Sequence, residues 1–361
     1  MPYLDANATE PLRPEAREAA VAAMALVGNP SSVHAAGRAA RSMLEAARRR
    51  VADRFGTRTT DVVFTSGGTE ANALGVVGTG RRLVVGATEH PSVLAAVPEA
   101  AVLPVDRDGV ARLDLLAELL RDGPALLCLM LANNETGTMQ PVAEAAAICR
   151  AHGALLHVDA VQAAGRVPVD LMTLGADSLS VSGHKMGGPK GAGALLLAPG
   201  RALDPVMRGG GQERGRRGGT PALPAIAGMG AACMVEPPDT RALRDVMERA
   251  AEALGALVLG GRNRLPNTSC LAFPGVAAET QVIALDLAGV QVSAGAACSS
   301  GKVARSPVLE AMGLGELAGQ AIRVSLPWNA TQADITAFLA ASGRLRAPRE
   351  MLASVQPVRE A

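Results

Sequence analysis

Lysine and aromatic residues are scarce in this chain of 361 residues. Lysine accounts for three of the 35 basic residues, at positions 185, 190 and 302, and arginine supplies the other 32. The aromatic residues are four Phe, one Tyr and one Trp. The preference for arginine is a compositional bias, and it draws attention to each lysine that remains.

Several protein classes are excluded by other features that the sequence lacks. The net charge of +1 argues against a general nucleic-acid binder. No apolar run reaches the roughly 18–20 residues that span a bilayer, since Pro224, Gly228 and Gly230 interrupt the longest one. The first residues show no cationic start followed by an apolar stretch, so no signal peptide is predicted. Five cysteines without close pairs predict a reducing, cytoplasmic location.

What is present is an alternation of short apolar runs with helical patterns, which predicts an α/β fold. The stretch 38–55 reads as an amphipathic helix with Met43, Ala47, Val51 and Phe55 on one face and arginines on the other. Several strand candidates are apolar throughout, as in a mostly parallel sheet covered on both faces. The candidates are 61–64, 82–85, 102–105, 125–131, 155–159, 178–182 and 192–197.

Five polar clusters follow the ends of these strands, at 65–72, 89–92, 133–138, 159–162 and 182–185. Ligands of open α/β sheets bind at the carboxyl ends of strands, so the clusters predict one shared site. After about residue 255 the pattern changes to a strand at 267–273, a helix at 280–288 and a small-residue loop at 293–301. We expect a large domain over 15–254 and a small α+β domain formed by 1–14 and 255–361.

The segment SGGTEAN at 66–72 lies between a predicted strand and a predicted helix. Its glycines permit a tight turn, and the free N–H groups at the start of the helix suit a phosphate. It matches neither a Walker loop nor a dinucleotide fingerprint, which argues against a nucleotide-dependent oxidoreductase. The alternative is an ordinary turn in which Thr69 caps the helix.

Two further strand ends carry an acid and an amine. Asp159 ends an apolar strand, where an unpaired carboxylate is costly, so it needs an arginine or a ligand cation. Lys185 follows another strand within SGHKMGGPKG, where a desolvated amine can form a Schiff base; the alternative is a surface lysine. An acid for a pyridinium nitrogen, a Schiff-base lysine and a phosphate cradle together predict pyridoxal phosphate.

With these motifs the chain resembles the cysteine desulfurases among the class-V pyridoxal-phosphate enzymes, which have the aspartate-aminotransferase type of fold (fold type I). The resemblance covers nearly the whole chain, and its segments occur in the family's order and spacing. The segments are YLDANAT, GNPSSVHAAGR, FTSGGTEAN, TEHPSV, NNETG, HVDAVQ, SGHKMGGPKG, RGGGQERGRRGGT and SAGAACSSG.

The resemblance implies a role for each matching residue. Lys185 would hold the cofactor as a Schiff base, Asp159 would pair with the ring nitrogen, and Gln162 would bond the ring's phenolic oxygen. His90 would stack on the ring and shuttle a proton. The phosphate would be bound by Gly68, Thr69, Ser182 and His184, and by Thr220 of a partner subunit in a homodimer. Asn134 and Arg323 would hold the substrate carboxylate; no metal site is predicted.

Cys298 is the one cysteine placed in a run of small and polar residues, where a thiol is accessible. Cys128, Cys149 and Cys233 lie in apolar or alanine-rich runs and Cys270 in a strand, which predicts that they are buried. The family motif makes Cys298 the nucleophile that attacks the substrate sulfur. Lys302 is either a surface charge or an aid to this thiolate, and Lys190 is expected to be structural.

The prediction is therefore a desulfurase that converts L-cysteine to L-alanine and leaves a persulfide on Cys298 for an acceptor protein. Two positions depart from the family pattern: Gln212 replaces a common His, and Glu10 replaces a common Thr. The segment after Arg346 is short beside the tail with which some relatives dock a scaffold, so the acceptor is open among iron–sulfur assembly, tRNA thiolation and molybdenum-cofactor sulfuration. The arginine–glycine segment at 208–220 contains no aromatic residue for stacking on bases, so no nucleic-acid binding is expected.

Two alternatives stay open. A selenocysteine lyase or another class-V activity would share the cofactor without needing Cys298. A regulator that binds pyridoxal phosphate without catalysis is the enzyme-free alternative, and no DNA-binding helix pair or basic arm is visible in support of it.

Overall fold

A computed structural model describes residues 1–295 and 305–346. Cys298 and Lys302, to which the sequence analysis gave a role, lie outside the described residues. Twelve helices are described: α1 Pro14–Met24, α2 Ala35–Phe55, α3 Gly68–Val77, α4 Pro91–Leu94, α5 Leu116–Leu119, α6 Val142–Ala151, α7 Leu171–Leu174, α8 Leu223–Ala232, α9 Arg241–Ala253, α10 Ala278–Leu287, α11 Pro307–Ala311 and α12 Gln332–Arg346. Within these residues, no helix combines the length and apolar character needed to cross a membrane.

The strands of the described residues form two sheets. The larger sheet has seven strands in the order β1-β7-β6-β5-β4-β2-β3. Its pairings among β2 to β6 are parallel, whereas β7 runs antiparallel to both β6 and β1. The bounds are β1 Val62–Thr65, β2 Arg82–Gly86, β3 Ala101–Leu103, β4 Ala125–Met130, β5 Leu155–Asp159, β6 Ser178–Ser182 and β7 Gly193–Leu197.

The predicted α/β class with a mostly parallel sheet is confirmed. The central strands β4, β6 and β7 are buried at every position, which explains why they read as continuous apolar or small-residue runs. Helices cover the sheet on both faces, with α2 and α8 in the main apolar cluster and α3 packed against β6 and β7. The third strand is shifted toward the N-terminus, to 101–103 instead of 102–105.

The smaller sheet is antiparallel, in the order β10-β11-β9-β8. Its strands are β8 Leu257–Leu259, β9 Thr268–Ala272, β10 Ser293–Ala294 and β11 Ala321–Ser325. The N-terminal segment joins this sheet, because Tyr3 bridges Gln291 and Asp5 bridges Ser325 in parallel. Leu4 packs in the apolar cluster of the smaller sheet, beside Phe338 of α12.

The arginines of α2 do not all lie on its exposed face, so that expectation was wrong for one of them. Arg48 is 5 % exposed and forms a two-pronged ion pair with Glu213, at 2.7 and 2.8 Å. It also donates to the carbonyl of Val62, at 3.0 Å. A guanidinium can be buried where its donors all find acceptors, and here a distant loop supplies the carboxylate.

Candidate active site

A pocket of about 150 Å³ lies at the carboxyl ends of β4, β5 and β6. All five polar clusters that follow the predicted strands contribute to its wall. The lining residues include Gly68, Thr69 and Asn72, His90 and Ser92, Asn134, Asp159 and Gln162, and Ser182, His184 and Lys185. The expectation that the clusters converge on one site is therefore confirmed, because parallel strands end at the same edge of a sheet.

Asp159 is the last residue of β5 and is 6 % exposed. Its Oδ2 accepts a hydrogen bond from Nδ2 of Asn72 at 2.7 Å, and its Oδ1 accepts one from the backbone N–H of Val161 at 2.9 Å. A buried carboxylate is stabilised by such donors, and they also determine the direction in which its oxygens point. Asp159 is thus held at the floor of the pocket as a hydrogen-bond acceptor.

Lys185 and Gln162 meet the N-terminal segment at the pocket. Nζ of Lys185 donates to the carbonyl oxygens of Asn7 and Ala8, the second at 3.0 Å. Nε2 of Gln162 donates to the same carbonyl of Asn7 at 3.1 Å. Asn7 is itself buried and donates from its backbone N–H to Ser325 Oγ of β11, at 2.9 Å. The amine that is predicted to bind the cofactor is therefore positioned by a segment that belongs to the smaller sheet.

One wall of the pocket has the character of an anion cradle. The helix α3 begins at Gly68, and the first N–H groups of a helix have no partner within it. Gly67 precedes the helix, and no side chain caps it, so the alternative in which Thr69 caps the helix is wrong. The buried Oγ of Ser182 has no hydrogen-bond partner among the described residues. Donors without partners beside a helix N-terminus suit a phosphate group.

Glycine at position 68 allows this wall to form. A Cβ there would lie 2.7 Å from Cγ2 of Val161, the residue whose N–H binds Asp159. His184 stands on the same wall, with Nδ1 at 3.2 Å from Oγ1 of Thr9. Burial, and then the charges of Lys185, Lys190 and Arg166, lower the pKa of His184 to about 4. The imidazole is therefore neutral near pH 7 and can donate to or accept from a ligand oxygen.

His90 precedes the short helix α4 and lies in the pocket wall. Its Nδ1 is 2.8 Å from Ser92 Oγ and accepts from the backbone N–H of Ser92 at 3.1 Å. Burial lowers the pKa of His90, as does the charge of Lys185, while Asp159 acts in the opposite direction. The result is a neutral imidazole with one nitrogen engaged by Ser92, which is the form that accepts and returns a proton.

Asn134 lines the pocket, whereas Arg323 lies beside it on β11. The guanidinium of Arg323 is buried and donates to the carbonyl of Asn134 at 3.1 Å and to Asp5 at 2.7 Å. Its Nε has no hydrogen-bond partner among the described residues. The two residues that would hold a carboxylate are in contact, and Asp5 occupies one edge of the guanidinium.

Thr220, like Arg323, is a predicted site residue that does not line this pocket. It is exposed, and it lines a separate cleft with Gly219 and Arg217. A larger cavity of about 500 Å³ opens nearby, between α2 and the segment 210–216. Neither cavity includes Asp159 or Lys185.

Asn72, Ser92 and His157 surround Asp159 and His90, and the sequence analysis assigned them no role. Asn72 is the last residue of the segment SGGTEAN. His157 lies within a strand that the sequence predicts as apolar, and it is fully buried. A signal was available: residues two apart on a strand share a face, so His157 and Asp159 point to the same side of the sheet.

Comparison with known proteins agrees with this fold. The family model described as aminotransferase class-V matches residues 2–338. A curated cysteine desulfurase of Cereibacter sphaeroides is 43% identical over 93% of this chain and 93% of its own length. The structure of a NifS-like protein from Rickettsia africae has a TM-score of 0.89 at 34% identity, covering 96% of this chain and 99% of that one. The structure titled SspA in complex with cysteine has a TM-score of 0.82 at 29% identity, covering 92% of this chain and 100% of that one.

Proposed function

The chain belongs to the aminotransferase class-V family and is a pyridoxal-phosphate-dependent cysteine desulfurase, and we propose that the pocket at the carboxyl ends of β4, β5 and β6 is its active site. One observation carries this assignment. The carboxylate of Asp159, the amine of Lys185 and the Oγ of Ser182, which has no partner in the part of the chain that the structure describes, all belong to one pocket beside the start of α3. These are the acid, the amine and the phosphate cradle that the cofactor needs.

The residues of the pocket fit the cofactor in specific ways. Asp159 would pair with the ring nitrogen, and Gln162 would bond the phenolic oxygen. His90 would lie against the ring, while Gly68, Thr69, Ser182 and His184 would bind the phosphate. When bound, pyridoxal phosphate attracts electrons away from the α-carbon of the amino acid that it carries.

The residues of this chain supply binding and proton transfer. Asn134 and Arg323 would hold the carboxylate of L-cysteine, and Arg323 would exchange its bond to Asp5 or to Asn134 in order to bind the carboxylate in a two-pronged manner. Nζ of Lys185 would take the α-proton, and the carbonyls of Asn7 and Ala8 hold this amine in place. His90, whose pKa is lowered, would return a proton to the product.

Cys298, which follows β10 within SAGAACSSG, would perform the sulfur transfer. Its thiolate attacks the sulfur of the substrate, and a new S–S bond forms as the carbon–sulfur bond breaks. The electron pair of the broken bond stays with the carbon skeleton, which takes up a proton and leaves as L-alanine. The persulfide on Cys298 then serves an acceptor protein; we propose a partner protein for this step without naming its pathway.

The test replaces Lys185 and Cys298 separately with alanine. We expect Lys185→Ala to abolish alanine formation, and Cys298→Ala to keep the yellow colour of bound cofactor while forming no persulfide, as measured by mass spectrometry. Lys190→Ala and Cys149→Ala are the matched controls, because Lys190 is exposed outside the pocket and Cys149 is buried in α6. Undiminished alanine and sulfide production by Cys298→Ala would disprove the nucleophile assignment.

We further propose a homodimer in which Thr220 serves the phosphate of the opposite subunit. Its exposure and its absence from the lining of the pocket of its own chain support this arrangement. Mixing Lys185→Ala with Thr220→Ala chains tests it, because a mixed dimer then contains one site with both Lys185 and Thr220. Cofactor affinity should return to the native value in half of the mixed sites; if it stays at the Thr220→Ala value, each Thr220 serves its own chain.

A cytoplasmic location is also proposed. Cys128, Cys149, Cys233 and Cys270 are free and buried, as predicted. Burial raises the pKa of the Cys149 thiol and of the Cys233 thiol to about 12, so both stay protonated. Unpaired thiols persist most readily in a reducing compartment.

A further inference from the structure

Asn72 is the point at which the hydrogen bonds of Asp159 and His90 meet. It is the fifth residue of α3 and is 1 % exposed. Its side-chain nitrogen lies 2.7 Å from Asp159 Oδ2 and 2.9 Å from Ser92 Oγ, and its oxygen lies 3.2 Å from Nε2 of His157. The amide therefore uses both N–H groups and its oxygen inside the protein.

The orientation of this amide follows from its neighbours. A carboxylate oxygen only accepts hydrogen bonds, so the NH₂ group of Asn72 must face Asp159. The reversed amide would place two acceptor oxygens 2.7 Å apart. The oxygen of Asn72 is consequently an acceptor, and His157 must carry its proton on Nε2.

The rest of His157 agrees with that tautomer. Nδ1 of His157 is then an acceptor, and Ser178 Oγ stands 2.8 Å away as its donor. Ser180 Oγ lies 3.3 Å from Nε2 and shares its proton as a second acceptor. Complete burial lowers the pKa of His157 to about 4, so the ring is neutral near pH 7. From Ser178 through His157 and Asn72 to Asp159, every donor points the same way, which strengthens the final bond to the carboxylate.

A second branch leads from Asn72 to His90. Ser92 Oγ accepts from Asn72, so its own proton is free for Nδ1 of His90, 2.8 Å away. The backbone N–H of Ser92 donates to the same nitrogen at 3.1 Å. With Nδ1 occupied as an acceptor, the proton of neutral His90 is on Nε2.

The space for this network is built into α3. A Cβ at Gly75 would lie 2.6 Å from Cε1 and 2.7 Å from Nδ1 of His157. An alanine at position 75 would therefore displace the imidazole, or the helix that carries Asn72. Glycine lowers helix propensity, and here the lost propensity is offset by room for a buried ring.

We propose that Asn72 is a positioning residue that holds the carboxylate of Asp159 toward the cofactor ring and at the same time orients the Ser92 hydroxyl toward Nδ1 of His90. The inference depends on the proposed function for what the two residues do. The network itself is a property of the chain without any ligand, so it can be measured before cofactor is added.

The experiment observes the ring nitrogens of the five histidines by NMR of the ¹⁵N-labelled protein, first without and then with pyridoxal phosphate. In the native chain we expect His157 and His90 each to show one protonated and one unprotonated nitrogen, without change from about pH 5 to 8 for His157. In Asn72→Ala, Ser92 Oγ no longer accepts from an amide and its hydroxyl can rotate, so the Nδ1 signal of His90 should shift, while the backbone N–H of Ser92 still donates to that nitrogen. Asn329→Ala, at an exposed asparagine, is the matched control.

Kinetics provide the second measurement. Loss of a hydrogen bond to a charged group corresponds to about a 10- to 100-fold fall in rate, so kcat of Asn72→Ala should fall by that factor with little change in KM. Ser92→Ala keeps the bond between Asn72 and Asp159 and breaks the other branch, so it should change the signals of His90 and leave those of His157 unaltered. This variant tests the proposal even if Asn72→Ala fails to fold.

Unchanged His90 signals in both Asn72→Ala and Ser92→Ala would overturn the inference. So would equal losses in kcat and kcat/KM reproduced by the Asn329 control. A native protein that gives the expected histidine signals but forms no alanine from cysteine would disprove the proposed function instead, which keeps the two failures distinguishable.

Discussion

Glu89, a residue of the segment TEHPSV, is buried behind the pocket without a described role in binding. It is 3 % exposed, its Oε1 accepts from the N–H of Met130 at 2.7 Å, and its Oε2 has no hydrogen-bond partner among the described residues. Burial raises the pKa of Glu89 well above its ordinary value of 4.5, and the nearby charge of Asp159 adds to the rise. Folding therefore favours the protonated form of Glu89.

This state predicts a pH dependence of stability. A carboxyl whose pKa is raised by folding stabilises the protein at pH values below the unfolded pKa, and that contribution is lost as the pH rises through the folded pKa. Glu89→Gln keeps the acceptor for Met130 and removes the titration. We expect the free energy of unfolding of this variant to increase relative to that of the native protein as the pH rises above 4.5.

Urea unfolding over a pH series measures the difference. Glu99→Gln is the control, because Glu99 is exposed. Parallel curves for Glu89→Gln and the native protein would show that Glu89 ionises normally. Glu89→Ala should cost about 1–3 kcal/mol more than Glu89→Gln, since it leaves the N–H of Met130 unpaired.

At the residue scale, the sequence predicted the locations of the site residues better than it predicted their hydrogen-bond partners. Asp159 and Lys185 could be found because each follows an apolar strand, and strand ends meet at one edge of a sheet. The orientation of Asp159 could not be predicted, because it depends on hydrogen bonds that involve Asn72 and His157. His157 lies within a strand that otherwise has an apolar pattern. The role of Glu89 was also hidden, since burial by residues distant in sequence determines whether a carboxyl is ionised.

The loop at 208–220 is the element with the most unusual backbone. Glu213 has φ of 47° and Arg214 has φ of 59°, and these are the non-glycine residues with positive φ among the described residues. Such conformations cost roughly 1–3 kcal/mol each and persist where surrounding contacts enforce them. Here the contacts are the ion pair of Glu213 with Arg48 and a hydrogen bond from the N–H of Phe64 at 2.9 Å.

Breaking this pair should release the loop. We expect Arg48→Met to lower the free energy of unfolding by about 3–5 kcal/mol, because it leaves the buried carboxylate of Glu213 without its partner. Arg54→Met is the matched control: Arg54 pairs with exposed Glu236 at 2.7 Å, and such surface pairs contribute about 0–1 kcal/mol. Denaturant unfolding of both variants gives the comparison, and equal losses would contradict the role of Glu213 in holding the loop.

The elements themselves were largely predictable, and their pairings were not. The strands β5 and β6 have the predicted bounds, and β4 differs by one residue. The antiparallel direction of β7 left no trace in the sequence, because a strand covered on both faces is apolar in either direction. The burial of Arg48 could not be predicted for a related reason. Periodicity shows which face of the helix a residue occupies, but it does not show whether a carboxylate distant in sequence packs against that face.

At the scale of the whole molecule, the N-terminal segment connects the two sheets. The backbone N–H of Trp328 donates to Glu10 Oε1 at 2.6 Å, and Glu10 Oε2 pairs with Arg166 at 3.3 Å. The indole N–H of Trp328 donates to the carbonyl of Pro11 at 2.9 Å, and Arg13 lies over its ring at 5.1 Å. Glu10 thus links the end of the smaller sheet to the turn that follows β5.

The single tryptophan of the chain reports on this connection. Glu10→Thr restores the residue common in the family, and it leaves the N–H of Trp328 without an acceptor. We expect a loss of about 1–3 kcal/mol in the free energy of unfolding and a red-shifted Trp328 emission. Glu15→Gln, at an exposed position of α1, is the control, and identical emission spectra for all three proteins would refute the link.

The fold class was predictable as a whole because its signals are local and repeated along the chain. The sequence analysis expected the first residues to join the small domain, but no local pattern predicts that residue 5 pairs with residue 325. The placement of Cys298 is outside the described residues, and its assignment depends on the motif and on the experiment above.

The pairing of Asp5 with Ser325 has a consequence for how the protein is made. A ribosome releases the N-terminus first, at about 5–20 residues per second, so the first segment waits roughly 15–60 s before its partner strand emerges. Until then the carbonyls of Asn7 and Ala8 lack the framework that presents them to Lys185. Nascent chains should therefore be unable to bind the cofactor productively. A chain truncated before β11 should lack activity even if its larger sheet folds.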